Sequence, residues 1–148
     1  MPSLAAIIEA SNERLSLGID DLNQMCSDGV LRHCFILVSG ATSTGKTMIV
    51  TEFIKAAIKA GQRSLLFAYK ENYGQIVRNA AAWGIDFKGA EENGLLKILC
   101  EYPARRGMED HLIHMQRAIT DFEHERIAID SISAVERITP RRAFREFV

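Results

Sequence analysis

A short segment, Gly40-Ala-Thr-Ser-Thr-Gly45-Lys46-Thr47, limits the possible folds of this chain more than any other feature. It fits the pattern G-x-x-x-x-G-K-[ST], in which two glycines let successive backbone N–H groups line a concave anion-binding nest. The lysine ammonium in this pattern meets the β- and γ-phosphates of a nucleotide, and the final hydroxyl ligates Mg²⁺. The alternative is an ordinary turn rich in small polar residues. We call residues 40–47 the phosphate loop, and we expect the phosphates to be bound by Gly40, Thr42, Ser43, Thr44, Gly45, Lys46 and Thr47.

The sequence on either side of the phosphate loop favours this interpretation. Phe35-Ile-Leu-Val38 is a continuous apolar run of the kind that forms a buried parallel strand. Apolar residues then recur at helical spacing from Met48 to Ile58, and Gly61 ends the pattern. The order strand, loop, helix is the one that a Walker A phosphate site requires, so the sequence predicts a nucleotide-binding site.

The rest of the chain alternates between apolar strands and amphipathic helices. The patterns predict an edge strand over 14–17 with helical turns over 19–25, and further strands over 63–69, 95–100 and 126–131. They predict helices over 72–83, with Ile76, Val77, Ala80 and Trp83 facing inward, over 108–122, and from Pro140 onward. This alternation is typical of a parallel sheet in an α/β layer fold. Residues 1–12 are expected to be a tail or linker, and residues 13–148 one domain.

Composition excludes several classes of protein. The chain has 148 residues, of which 47% are hydrophobic and 25% charged, with a net charge of −1. These values are those of a globular domain, and they argue against a broad nucleic-acid-binding surface. No apolar stretch is long enough to span a membrane. The three cysteines lack C-x-x-C spacing, which suits reduced thiols in the cytoplasm.

Two carboxylates are candidates for the chemistry. Asp130 ends an apolar strand, where such an acid holds the magnesium side of the site together with Thr47; alternatively, it caps the following helix. Glu71 follows the strand over 63–69, and the carboxyl ends of parallel strands are where open α/β sheets place ligands. Glu71 is our candidate for the base that acts on the attacking water, with Lys46 as the second catalytic residue. The alternative is that Glu71 is a solvated glutamate in the first turn of the following helix.

Two further groups have an ordinary explanation. His111 and His114 lie three apart on one predicted helix, beside Glu109 and Asp110. A metal site is conceivable there, whereas a solvated helix face is the more common outcome. Arg105 and Arg106 form a basic turn that an exposed loop explains equally well.

The chain resembles the KaiC family of RecA-type ATPases of the cyanobacterial clock, and it is closer to the second repeat of that family than to the first. The segments that carry the resemblance are Gly18-Ile-Asp-Asp-Leu-Asn-Gln-Met25, Ser39-Gly-Ala-Thr-Ser-Thr-Gly-Lys-Thr47, Leu66-Phe-Ala-Tyr69, Arg78-Asn-Ala-Ala-Ala-Trp-Gly-Ile-Asp-Phe87, Leu95-Leu-Lys-Ile98, Tyr102-Pro103, Glu109-Asp-His-Leu112, Arg126-Ile-Ala-Ile-Asp-Ser-Ile-Ser-Ala134 and Ala143-Phe-Arg-Glu-Phe-Val148.

The resemblance implies a three-layer, RecA-like P-loop NTPase fold with a mostly parallel sheet. It implies binding of ATP and Mg²⁺, with Asp130 as the magnesium-side acid, and assembly with KaiC-like subunits into a homo- or hetero-oligomer. It also implies a sheet order in which the strand over 63–69 lies between the strands over 95–100 and 126–131, which places Glu71 near Asp130.

The sequence departs from the family pattern in two ways. The family has two adjacent glutamates after the strand over 63–69, and here Lys70 stands at the first position while Glu71 keeps the second. The family repeat also supplies a further strand and a phosphoacceptor segment that this sequence does not contain, so we expect a sheet that is incomplete at its C-terminal end, with open edges.

These observations predict a KaiC-like domain that binds Mg·ATP and hydrolyses it weakly at most, in circadian-type or related regulatory signalling. The first alternative is a non-catalytic module that uses bound nucleotide for assembly or regulation. The second, a RecA-type DNA-handling ATPase, is disfavoured by the neutral charge balance.

Overall fold

The computed structural model describes residues 11–102 and 107–136. The chain forms two compact units, Met1–Ala56 and Ala57–Val148. A single helix, α2 (Lys46–Lys59), crosses the boundary between them.

The first unit contains a short antiparallel ribbon. Strand β1 (Arg14–Leu15) pairs with β2 (Val30–Leu31), and helix α1 (Asp20–Met25) lies between them in the chain. The predicted edge strand and helical turns are therefore confirmed. Gly18 adopts φ +87°, and a Cβ atom placed on it would lie 2.2 Å from the carbonyl oxygen of Glu52. Only glycine fits this close approach to α2.

The predicted strand over residues 35–38 is wrong. Residues 33–40 have no regular secondary structure, and the side chains of Phe35 and Leu37 are 84% and 72% exposed. A strand needs the backbone of a neighbour to satisfy its N–H and C=O groups, and none of the described strands pairs with this segment. An apolar run indicates side chains that prefer burial, but it does not supply the neighbouring strand with which the backbone would pair.

The second unit is built on a three-stranded parallel sheet. The strands are β3 (Ser64–Ala68), β4 (Leu96–Cys100) and β5 (Arg126–Asp130), in the order β4-β3-β5. Ser64 lies opposite both Leu96 and Arg126, and Ala68 lies opposite both Cys100 and Asp130, so the three carboxyl ends coincide. The sheet order expected from the resemblance is confirmed.

Helices pack against this sheet and beside its strand β4. Every residue of β3 is buried, as expected for a central parallel strand. On one face, Leu65, Phe67 and Tyr69 pack with Met115 and Ala118 of helix α5 (Met108–Asp121). Helices α3 (Tyr73–Ala82) and α4 (Phe87–Glu92) pack beside β4 and against each other. The second unit is thus an α/β layered structure.

The predicted helices agree with the structure, apart from the exposure of one side chain and the presence of two short helices. Ile76 and Ala80 of α3 are buried as expected, but Trp83 is 40% exposed at the C-cap, where the helix has already ended. Helix α4 was not predicted, and α6 (Ile132–Glu136) was expected only as the helix that Asp130 would cap in the alternative interpretation of that residue. The helix expected from Pro140 lies outside the described residues.

No described helix is both long and apolar enough to cross a bilayer.

Candidate functional site

The phosphate loop has the curled backbone that an anion nest requires. Ser43 and Gly45 both have positive φ, at +65° and +89°, with Thr44 between them. The Thr44 hydroxyl donates to the carbonyl oxygen of Ala41 at 2.7 Å, which closes the curl on itself. Helix α2 begins directly after Gly45, so the N-terminal N–H groups and the positive end of the helix dipole lie at the loop.

The Lys46 side chain folds back over the phosphate loop. Its Nζ atom donates to the carbonyl oxygens of Gly40 and Ala41, at 2.7 and 2.6 Å. These two acceptors are neutral, so a polyphosphate would offer the ammonium stronger, charge-assisted hydrogen bonds. The loop therefore holds the Lys46 ammonium against its own backbone carbonyl oxygens.

The remaining loop residues stay close to solvent. Residues 40–45 are exposed, while Lys46 and Thr47 are half-buried at the start of α2. One turn further on, the Thr51 hydroxyl donates to the Thr47 carbonyl oxygen at 2.8 Å. The predicted phosphate-contacting residues thus form one continuous, accessible surface. The positive φ of Ser43 is a feature that the motif alone does not specify.

Glu71 lies beyond the carboxyl end of β3 and is held by α3. Asn79 donates from Nδ2 to the Glu71 carboxylate at 3.3 Å. Lys70, which precedes Glu71, is exposed. This hydrogen bond restricts the direction of the Glu71 carboxylate without neutralising it. No pattern in the sequence indicates the contact.

Asp130 ends β5 at the same edge of the sheet. It lies opposite Ala68, and its carbonyl oxygen accepts from the Tyr69 N–H at 2.9 Å. The half-buried Asp130 and the residues that follow β3 therefore share one end of the second unit. The structure brings the predicted Glu71 and Asp130 to this common edge. The phosphate loop belongs to the first unit.

The two histidines of α5 do not form a solvated helix face. His111 is 1% exposed, and its Nδ1 lies 3.3 Å from Oε2 of Glu101; Nδ1 of His114 contacts the other oxygen of the same carboxylate. The expectation of a solvated face is wrong for His111. Across residues 11–102 and 107–136, no cluster of three His, Cys, Asp or Glu side chains has the arrangement of a metal site.

Burial and nearby carboxylates perturb several groups in the second unit. Desolvation, with the Glu101 charge second, raises the pKa of Tyr69 to about 12. Burial also raises the pKa of the Cys100 thiol, with contributions from Glu91 and Glu71. Cys100 is consequently a protonated, unreactive thiol at neutral pH.

Comparison with known proteins identifies the family. A family model described as "ATPase: KaiC" matches residues 15–148. The circadian clock protein KaiC3 of Synechocystis is 46% identical over 140 residues. The circadian clock oscillator proteins KaiC of Acaryochloris marina and of a Prochlorococcus marinus strain are 50% and 49% identical over 139 residues.

These alignments cover 94–95% of this chain but only 27–28% of each relative. The layered α/β structure agrees with the RecA-like fold of a KaiC ATPase domain, and the family model spans both units. The chain belongs to the KaiC family of ATPases.

Proposed function

We propose that this chain binds Mg·ATP through the phosphate loop and hydrolyses it weakly at most. The observation that carries the proposal is the loop geometry: positive φ at Ser43 and Gly45, with the Lys46 ammonium held over the loop carbonyls. Family membership supports ATP as the nucleotide. In this proposal Thr47 and Asp130 hold the magnesium ion and its water shell, and Glu71 is the base that acts on the attacking water.

Lys70 is the reason for expecting slow turnover. A charged ammonium attracts a γ-phosphate but cannot accept a proton, and general acid–base help is typically worth ~10²–10⁴-fold in rate. Glu71 is the remaining carboxylate, and Asn79 already occupies one of its oxygens. We further propose that the chain acts in the cytoplasm as part of an oligomer with KaiC-like subunits, in circadian-type or related regulation.

The test is an ATP titration of three proteins: wild type, Lys46→Ala and Lys59→Ala. Lys59 lies in the last turn of the same helix, so it is a matched control for loss of one positive charge from α2. Hydrogen bonds to charged groups are worth about 1.5–3 kcal/mol, so Lys46→Ala should weaken ATP binding about tenfold or more. Lys59→Ala should bind as wild type does. Equal affinity of Lys46→Ala and wild type would refute the site.

A second candidate function is a non-catalytic module in which bound nucleotide controls assembly. The lysine at position 70, where the family has its first glutamate, favours this module, because it removes one of two carboxylates and leaves the phosphate loop intact. Phosphate release and oligomeric state should be followed in the same ATP titration. Assembly without phosphate release would favour the module, and release that accompanies assembly would favour the ATPase.

A further inference from the structure

The Glu91 carboxylate joins three elements of the second unit. Glu91 lies in α4 and is half-buried. Its Oε1 accepts from the Ile98 backbone N–H in β4 at 3.0 Å, and its Oε2 accepts from the Tyr73 hydroxyl in α3 at 2.6 Å. Hydrogen bonds to a carboxylate are about twice as strong as those between neutral groups. Each oxygen of Glu91 therefore holds a different element.

The bond to Ile98 lies on the outer edge of β4. The N–H of Glu101 donates to the Ala68 carbonyl oxygen, so residue 101 faces β3. Successive N–H groups of a strand point to alternate sides, and Ile98 stands three residues earlier, so its N–H points away from β3. No described strand pairs with β4 on that side. Glu91 thus supplies the acceptor that a neighbouring strand would otherwise supply.

The bond to Tyr73 holds the first turn of α3. Tyr73 is the first residue of this helix and directly follows its N-cap, Asn72. The backbone N–H groups of Asn72 and Gln75 donate to each other's side chains, on either side of Tyr73. Because Tyr73 lies between them, anchoring its side chain restricts the backbone of the cap. The hydrogen bond to Glu91 is also the largest cause that raises the pKa of Tyr73 to about 12.

Glu71 directly precedes this start of α3. Asn79, two turns further along the helix, donates to the Glu71 carboxylate at 3.3 Å. Burial is the main cause that raises the pKa of the Cys100 thiol, and the charges of Glu91 and Glu71 follow, so both carboxylates lie near the carboxyl end of β4. A displacement of α3 would move both the backbone that follows Glu71 and the amide that anchors it.

We propose that Glu91 is a positioning residue for Glu71. By accepting from β4 and from Tyr73 together, it fixes the start of α3 to the outer edge of β4, and so sets where the candidate base lies. The effect of Glu91 on turnover rests on the proposed function, in which Glu71 is the base. The positioning itself involves the second unit alone and needs no nucleotide.

A double-mutant cycle of Tyr73→Phe and Glu91→Ala tests the positioning, with amide hydrogen exchange at Asn72 and Gln75 as the measurement. In the wild-type background Tyr73→Phe removes the hydroxyl and should accelerate exchange about fivefold, because one hydrogen bond is lost. In the Glu91→Ala background the hydroxyl has already lost its acceptor, so Tyr73→Phe should change exchange by less than about twofold. Glu92→Ala removes the neighbouring, exposed charge of α4 and should exchange as wild type does.

Glu91→Gln separates the charge from the bridge, and it decides the question if Glu91→Ala does not fold. The glutamine keeps a carbonyl oxygen for Ile98, and its NH₂ group donates to the Tyr73 hydroxyl, which also accepts. Exchange at Asn72 and Gln75 should therefore stay within about twofold of wild type. The pKa of Tyr73, followed by tyrosinate absorbance, should fall from about 12 toward 10. Exchange as fast as in Tyr73→Phe, or an unchanged Tyr73 pKa, would contradict the bridge.

Phosphate release from Mg·ATP links the positioning to the chemistry. Tyr73→Phe should lower kcat about two- to fivefold, because a displaced base is less effective. KM should stay within about twofold, because the phosphate loop belongs to the first unit. Wild-type exchange in Tyr73→Phe, equal effects in the two Glu91 backgrounds, or faster exchange with unchanged kcat would each overturn the inference. Wild-type protein that binds or hydrolyses no Mg·ATP would instead refute Glu71 as the base, and the exchange rates would still decide the positioning.

Discussion

Two lysines have opposite relations to the proposed chemistry. Lys46 is held by two carbonyl oxygens of its own loop, and in the proposed function it exchanges them for phosphate oxygens. Lys70 is exposed and precedes Glu71, the second position of the glutamate pair that the family has after β3. The first lysine favours binding, whereas the second replaces a group that could take up a proton.

Replacing Lys70 tests the account of slow turnover. Lys70→Glu restores a carboxylate at the first position of the pair and should raise phosphate release by up to about 10²-fold. Lys70→Gln removes the positive charge without supplying a base, so it should raise release much less. The comparison is best made with the longest available form of the protein. Equal rates for the two variants would show that charge, rather than a missing base, limits turnover.

Tyrosine ionisation is predictable from two pKa shifts. A hydrogen bond to Glu91, at 2.6 Å, is the largest cause that raises the pKa of Tyr73 to about 12, and burial raises that of Tyr69 to about 12. Because the folded pKa lies above the ordinary value of 10, folding favours the protonated phenol. The associated stability is present below pH 10 and is lost as the pH rises through 12.

A titration of tyrosinate absorbance measures this directly. Two of the three tyrosines should ionise near pH 12, and Tyr73→Phe should remove one of these two late steps. If the late absorbance change in Tyr73→Phe equals that of wild type, the Tyr73–Glu91 bond does not form in solution.

Among the structural elements, α3 has the best-defined start. Asn72 accepts from the Gln75 backbone N–H at 2.9 Å, and the Gln75 side chain accepts from the Asn72 backbone N–H at 3.0 Å. This capping box satisfies two N–H groups that have no partner within the helix. The capping box also fixes the backbone directly after Glu71. Helix α3 therefore anchors the Glu71 carboxylate through Asn79 and determines where the segment between β3 and α3 ends.

Removing the cap should cost measurable stability. Asn72→Ala loses the side-chain acceptor and should lower the free energy of unfolding by about 1 kcal/mol. Asn72→Asp keeps an acceptor at the same place, so its unfolding midpoint in urea should stay close to that of wild type. A loss of similar size in both variants would mean that the asparagine acts through something other than capping.

The sequence predicted the longer helices from their period and three of the strands from their apolar runs. The runs that became β3, β4 and β5 are mainly aliphatic, and each has a neighbour in the sheet. Phe35-Ile-Leu-Val38 has the same local character, yet it is not a strand, because pairing is decided by which backbone lies alongside. The composition of a segment does not show which backbone will lie beside it in the fold.

The same contrast applies to the site. The phosphate loop could be read from consecutive residues, because its chemistry depends on local backbone curvature. The contacts of Glu101 with His111 and His114 join a strand end to a helix, and no spacing in the sequence indicates them. Asn79 is a similar case, since its hydrogen bond joins α3 to Glu71, eight residues earlier in the chain.

In the described part of the chain, the first unit exposes an apolar segment, and the second unit has a strand whose outer edge pairs with no other described strand. Residues 35–38 are exposed at all four side chains, and β5 has a neighbour on one side only among the described strands. Backbone groups on the open side of β5 and an extended apolar segment are both surfaces that associate with other chains. Concentrated protein should therefore self-associate through residues 35–38.

A double substitution, Phe35→Ser with Leu37→Ser, should reduce this association. Sedimentation velocity over a range of concentrations would show a shift toward monomer in the variant without nucleotide. Ile113→Ser is the control, because Ile113 is a single exposed apolar side chain on α5, 47% exposed, outside the segment. Association that is equally strong in the double variant would exclude residues 35–38 as its cause.

Backbone amide chemical shifts during a titration with Mg·ATP test the central claim most directly. The account predicts that the amides of residues 40–47 shift together and saturate at one stoichiometric ligand, and that these shifts are greatly weakened in Lys46→Ala. Saturable binding that leaves the amides of residues 40–47 unmoved would contradict it, because the nucleotide would then occupy another place on the molecule.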